Sequence, residues 1–301
     1  MKLSYDSTVP RQLVHRSAVA EVLLTDWQQT GATTFVLAAQ WPRGHSFYGV
    51  RDGQFDPLLA AETIRQAGIL LAHVGFEVPQ SCFFLMQRLA FGCVPEQLHA
   101  ADEPFDLVLT VEVGAVLRRA CTIGGMRIDV TLRHGGDLVG EGSGWLRCVS
   151  PATYERLRWG GQARAVGPPP VVTPADPASV GRQHPADVVV GPADPQGTRQ
   201  LRVPLHHPVL FDHPLDHVPG MLAFEAMRQA ALAATGRPGA LVVGADATFP
   251  AFLELDRECT LVVRSVTAAP DRQLVNLHFI QDGAVAVHGE VALPTERFSR
   301  R

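Results

Sequence analysis

The sequence predicts an α+β chain made of two similar halves, each a single apolar helix wrapped by antiparallel strands. Three observations carry this reading. The pattern Glu-x-x-Arg-Gln-Ala occurs at 62–67 and again at 225–230, 163 residues apart, inside two helical runs. Segments of alternating apolar and polar residues follow each helix, with Val275, Leu277 and Phe279 the clearest case of period two. A Pro-rich stretch at 160–200 separates the halves. A repeat of this length points to duplication of a whole small domain and not to a solenoid.

The elements follow in order. The first helix is expected over about residues 57–74, opened by Asp56 as N-cap and Pro57 as its first residue. Strands are expected at Cys82–Leu89, Leu107–Val116, Thr122–Arg133 and Leu138–Val149. Pro168, Pro169, Pro170, Pro174, Pro177, Pro185, Pro192 and Pro195 then block helices and central strands, so 160–200 reads as a loop or linker. Val188–Val190 is a candidate short edge strand within it. The second helix is expected over about 220–235, followed by strands at Ala240–Phe249, Cys259–Val266, Leu274–Gln281 and Ala284–Leu293. Gln281-Asp282-Gly283 and Arg133-His134-Gly135-Gly136 read as hairpin turns. The expected division is 1–159, a linker at 160–200, and 201–301.

Composition fits a folded chain. Of 301 residues, 46% are hydrophobic and 19% charged, enough apolar mass for a sizeable core. A net charge of −4 gives no bulk electrostatic reason to bind nucleic acid or an anionic membrane. Of the 26 basic residues all but Lys2 are Arg, which reads as a coding bias. Residues 1–10 hold one Lys and no apolar run, so no secretory signal is expected and the cytoplasm is the default location. Cys82, Cys93, Cys121, Cys148 and Cys259 have no C-x-x-C spacing, so neither a disulfide framework nor a zinc site is expected.

Both helices are apolar on most sides, which predicts burial on most sides. Each nevertheless carries a polar stripe at i, i+3 and i+4: Glu62, Arg65 and Gln66 in the first, Glu225, Arg228 and Gln229 in the second. Ionised groups so placed must be paired or line a cleft. Two readings stand: a Glu–Arg pair locking the helix to a loop, or a stripe facing substrate. Before the second helix, His206, His207, His213 and His217 share a loop with Asp212 and Asp216. That spacing is not a zinc motif, and no metal or other cofactor is expected. These His are either loop hydrogen-bonding groups or acid–base groups.

The run His213-Pro214 … Pro219-Gly220-Met221-Leu222-x-x-Glu225-Ala226-x-x-Gln229 resembles hotdog acyl-carrier-protein dehydratases, in which a loop His and a helix Glu act together. A longer likeness covers both halves. Leu13-Val14-His15-Arg16, Ala20-Glu21-Val22-Leu23-Leu24-Thr25-Asp26-Trp27, the segment Phe55–Gln66 and the segment Leu210–Gln229 together resemble the A-factor biosynthesis (AfsA-like) family. The resemblance implies two hotdog-fold repeats in one chain forming a pseudo-dimer. It implies transfer of a β-ketoacyl group from acyl carrier protein to dihydroxyacetone phosphate, on the way to a γ-butyrolactone, furan or butenolide signal.

That chemistry needs a base, a polarised thioester carbonyl and a phosphate site. Glu225 and Glu62 are candidate bases, with His213 and His217 as candidate catalytic partners. Gly220, at the start of the second helix, offers an N–H to the carbonyl. Arg65, Arg228 and Arg43 are candidates for the phosphate, and Gln66, Gln229, His45 and Asp56 complete the expected substrate-binding set. No Ser or Cys stands in a nucleophile motif, which favours direct transfer over an acyl-enzyme. The alternatives are a hotdog dehydratase or thioesterase, and a non-catalytic binder of an acyl ligand.

Overall fold

The computed structural model describes residues 2–119, 122–162 and 164–295; Cys121 lies outside the described residues. The chain divides into two compact units, Met1–Ala165 and Val166–Arg301.

The first unit contains β1 (Leu24–Gln29), β2 (Thr34–Trp41), α1 (Leu58–Val74), β3 (Phe83–Cys93), β4 (Phe105–Arg119), β5 (Thr122–His134), β6 (Asp137–Val149) and α2 (Pro151–Trp159). Its strands run in the order β1-β2-β4-β5-β6-β3, every neighbouring pair antiparallel. Helix α1 crosses this sheet and packs on β3, β5 and β6. Every residue from Leu58 to His73 except Arg65 is buried. Each large apolar side chain so buried contributes roughly 1.5–3 kcal/mol, which is why a helix apolar all round seeks a sheet that wraps it.

The second unit contains β7 (Arg199–Gln200), α3 (Gly220–Thr235), β8 (Gly244–Thr248), β9 (Thr260–Ala268), β10 (Arg272–Gln281) and β11 (Ala284–Pro294). Its order is β8-β11-β10-β9-β7, again antiparallel. Helix α3 lies on β9 and β11, and every residue from Met221 to Leu232 is buried. Both units are thus the hotdog arrangement of one long helix wrapped by an antiparallel sheet.

The close approach of helix and sheet depends on glycine. A Cβ on Gly289 of β11 would sit 2.6 Å from the Asp246 carbonyl oxygen and press on Met227 of α3. Its counterpart Gly142 of β6 meets the Ala90 carbonyl and Ile64 of α1 in the same way.

Three features depart from the sequence reading. Strands β1 and β2 precede the first helix, where alternation is blurred because both faces of β2 are largely buried. Helix α2 follows β6, capped by Ser150, whose side chain accepts from the Thr153 N–H. The stretch after Ala165 belongs to the second unit and is more than a connector: Val188, Val189 and Val190 are fully buried there. Of the edge strand expected at Val188–Val190, only the bridge from Val190 to Leu201 forms, flanked by prolines that cannot extend it. Among the described residues, no helix is long and apolar enough to cross a membrane.

Candidate active site

The polar stripe of each helix is the centre of a buried network that ties the helix to the chain segment running ahead of it. In the first unit Glu62 is 2% exposed. Arg16 reaches it with Nη2 2.7 Å from Oε1, and Arg65, one turn along the helix, does so at 2.8 Å. Gln66 then bridges. Its amide donates to Glu62 Oε1 and to the Glu21 carbonyl, both at 2.7 Å, while its oxygen accepts from the Leu23 N–H at 2.9 Å.

The second unit repeats this group for group. Arg182 Nε donates to Glu225 Oε1 at 2.9 Å. The Nη2 groups of Arg182 and Arg228 approach Oε2 at 2.8 and 2.5 Å, as charge contacts not aligned for hydrogen bonds. Gln229 donates to Glu225 Oε1 at 2.5 Å and to the Asp187 carbonyl at 2.8 Å, and accepts from the Val189 N–H at 2.9 Å.

Each network ends in a His–carboxylate pair. His45 Nδ1 accepts the N–H groups of Phe47 and Tyr48 at 3.1 and 3.0 Å, and its Nε2 lies 3.4 Å from Glu21. His207 Nδ1 accepts those of Val209 and Leu210 at 3.2 and 3.1 Å, with Nε2 3.3 Å from Asp187. An imidazole nitrogen that accepts two N–H bonds carries no proton, so the proton sits on Nε2 and points at the carboxylate.

These surroundings set the charges. Burial, the largest influence, pushes the Glu62 carboxyl up, but Arg16, Arg65 and the hydrogen bonds from Arg65 and Gln66 outweigh it and hold the pKa at about 2. Burial acts likewise on Glu225, and Arg182, Arg228 and Gln229 bring it below the usual carboxylate value. Burial pushes His207 down, against the opposing pull of Asp187. Both glutamates are therefore fixed anions, poor at accepting a proton near neutral pH. The general-base role expected of Glu62 and Glu225 does not fit them, for that physical reason. What they do is orient two arginines each.

The helix starts differ. In the first unit the Asp56 carboxylate accepts from the Leu58 N–H at 3.0 Å, and Pro57, at φ −64° and ψ −16°, is already helical and has no N–H. This start is sealed. In the second, Pro219 at ψ 143° is outside the helix and makes no side-chain cap, and Gly220 follows as the first helical residue. His217 stands just before it, 23% exposed at its side chain, with Nδ1 2.6 Å from Asp216. His213 is further out, 35% exposed, with Nδ1 3.3 Å from Asp212.

The remaining expected residues fall into place as follows. Gln66 and Gln229 bind backbone and hold loops. His45 is buried in its own loop, and Asp56 caps α1. Arg43 is a surface cation, 55% exposed, 3.7 Å from Asp102. Sequence reasoning missed Arg16 with Arg182, and Glu21 with Asp187, as matched pairs. A signal exists: Val14-His15-Arg16 and Val180-Gly181-Arg182 share an offset of 166 residues, and His15 and Gly181 both have positive φ, 51° and 71°. Among the described residues no group of three or more His, Cys, Asp or Glu could hold a metal ion.

Comparison with known proteins places these features in a family. The A-factor biosynthesis hotdog domain matches residues 3–150 and 164–294. The chain is 46% identical over 270 residues to a 2-oxo-3-(phosphooxy)propyl 3-oxoalkanoate synthase of Streptomyces virginiae, covering 89% of this chain and 92% of that protein. It is 37% identical to the protein of the same name from Streptomyces coelicolor, over 83% of this chain and 80% of that one. The fold is that of a solved acyl-ACP thioesterase from Bacteroides thetaiotaomicron, with TM-score 0.51 and 11% identity over 86% of this chain and 97% of the other.

Proposed function

The chain belongs to the A-factor biosynthesis hotdog family, and on that premise we propose that it is an acyltransferase that makes a 2-oxo-3-(phosphooxy)propyl 3-oxoalkanoate. The observation that carries this is the 46% identity to the Streptomyces virginiae synthase over nearly the whole of both chains. The reaction is acyl transfer to oxygen. A 3-oxoacyl thioester, carried by acyl carrier protein, meets the hydroxyl of dihydroxyacetone phosphate. The thioester C–S bond breaks, an ester C–O bond forms, and the hydroxyl proton ends on the departing thiolate. The ester is a precursor of a γ-butyrolactone-type signalling molecule.

The second repeat is assigned the chemistry. His217 is the base for the hydroxyl: Asp216 engages its Nδ1 and holds the ring proton there, which makes Nε2 the basic nitrogen. The open start of α3, with the Gly220 N–H, polarises the thioester carbonyl. Glu225 acts through Arg182 and Arg228, fixing both guanidinium groups. Arg228, 8% exposed at its side chain, is the second repeat's candidate cation for the phosphate, and Arg65, 17% exposed, the first's. His213 is a secondary candidate on the same loop.

The test is thiol release from a 3-oxoacyl carrier-protein thioester, followed with and without dihydroxyacetone phosphate. Release that requires the phosphate ester supports transfer. Equal release without it makes the chain a thioesterase, and binding with no release makes it a ligand-binding protein.

A further inference from the structure

The two polar networks join the same kinds of groups, yet they hold different loops. His207 pins the start of the loop 207–219 through the Val209 and Leu210 N–H groups, and the Phe211 N–H returns to the His207 carbonyl at 2.9 Å. The other end is pinned where His217 bridges Glu254 and the Val218 N–H donates to the Leu253 carbonyl at 2.9 Å. Between these anchors lie Asp212, His213 and Asp216. His45 pins the start of the corresponding loop in the first unit. This loop ends in the same way: Gln54 bridges His99, and the Phe55 N–H donates to the Leu98 carbonyl at 2.8 Å. The 163-residue helix repeat likewise sets Gln54 opposite His217 and Phe55 opposite Val218. The Gln54 side-chain amide donates to the Pro95 carbonyl at 3.1 Å. The first loop therefore carries an amide, which does no acid–base work, where the second carries an imidazole.

We propose that Asp187 and His207 are positioning residues for acyl transfer, holding the loop that carries Asp216 and His217, while Glu21 and His45 form a matched pair that holds a loop without acid–base function. The inference rests on the acyltransferase reading above. Asp187 orients the His207 ring from Nε2, and the ring presents Nδ1 to the two backbone donors. Removing the carboxylate frees the ring to turn, releases both N–H groups and widens the range of positions open to Asp216, which orients His217. A misplacement of a reacting group by about 1 Å can cost about 100-fold in rate.

The repeats supply their own control. Asp187→Ala and Glu21→Ala remove the same contact from the same network, one in each unit. Turnover of 3-oxoacyl carrier-protein thioester with dihydroxyacetone phosphate is measured for the full chain, together with the melting temperature. Asp187→Ala is expected to lower kcat at least about tenfold with KM for either substrate within about twofold. Glu21→Ala is expected to lower the melting temperature by a similar amount and leave kcat within about twofold. Asp187→Asn keeps an acceptor for the His207 Nε2–H and should restore most of the lost kcat. If Asp187→Ala does not fold, Asp187→Ser is read by the same criteria. Equal losses of kcat in the two units, or no rescue by Asn, overturn the proposal. A wild-type chain with no turnover overturns the acyltransferase reading instead, which keeps the two failures apart.

Discussion

Arg182 and Glu225, 43 residues apart in sequence, meet as a buried ion pair with Nη2 2.8 Å from Oε2, both side chains at most 1% exposed. Arg16 and Glu62 make the same pair in the first repeat at 2.7 Å. Both pairs fasten the segment ahead of the fold to its central helix. An ion pair this deep offsets its own desolvation only while both partners are present. Losing one leaves an uncompensated charge in the core, so the pairs make the packing of those segments all-or-none.

The first consequence is a defined acid sensitivity. The Glu62 pKa falls on folding from an ordinary 4.5 to about 2. A carboxylate depressed in this way stabilises the fold fully above its unfolded pKa, and the contribution disappears as pH falls through the folded value. A shift of this size corresponds to on the order of 3 kcal/mol. Glu62→Gln should therefore be several kcal/mol less stable than wild type at pH 7, and the gap should narrow between pH 4.5 and about 2. Urea unfolding of both proteins across that range measures it. A gap that stays constant with pH would show that the ion pair is not its source.

The unequal helix starts give a second prediction. Gly220→Pro removes one N–H from the start of α3 and should leave the helix intact. Proline is a good first helical residue, and Pro219, at ψ 143°, already has the extended backbone that a residue before proline requires. Transfer should fall by about 100-fold, as for loss of one oxyanion donor. Pro57→Gly should alter stability slightly and turnover little, because the Asp56 carboxylate keeps the start of α1 capped. Equal losses of turnover in the two variants would show that the open start of α3 has no special part.

His217 and Glu225 should behave in opposite ways. His217 is partly exposed on a loop, so His217→Asn should reduce kcat by about 100-fold with little change in melting temperature. Glu225 is wholly buried with two arginines, so Glu225→Gln should lose stability and activity in step. Parallel thermal melts and initial rates decide. A folded Glu225→Gln chain of wild-type stability with no turnover would return the base role to the helix glutamate.

Packing under the helices offers a fourth test. Gly289→Ala and Gly142→Ala each drive a methyl group toward a backbone carbonyl of the neighbouring strand and a helix side chain. Overpacking of this sort costs about 1–3 kcal/mol. Denaturant melts should show losses in that range at both positions; no loss would mean that the strands can draw apart without cost.

Much of this was legible in the chain itself. The bounds of both helices and the order of the eight strands after them followed from periodicity, because a helix buried on all sides and strands alternating across a sheet leave strong local patterns. Strand ends were less well marked, β3 running on to Cys93 past the expected Leu89 and β8 starting at Gly244 instead of the expected Ala240. The stripe Glu-x-x-Arg-Gln showed which helix face needed partners. It did not show the partners, since Arg16 and Arg182 lie 46 and 43 residues away in loops without periodicity. The Pro-rich stretch read as a linker because proline density reports backbone freedom, and three buried valines and one arginine decide where such a loop packs. For the glutamates the sequence left two readings open, a Glu–Arg pair locking the helix to a loop and a stripe facing substrate; it could not show the second arginine on each carboxylate, which holds the group ionised.

The central claim is that the chain joins two substrates into one ester, and product mass tests it most directly. Purified protein is incubated with a 3-oxoacyl carrier-protein thioester and dihydroxyacetone phosphate carrying carbon-13 at all three carbons, and the mixture is read by mass spectrometry. The expected product is a phosphorylated 3-oxoacyl ester whose mass rises by the whole label, formed in step with free carrier thiol. Free 3-oxo acid with no labelled ester would contradict the account and make the protein a hydrolase of its hotdog scaffold.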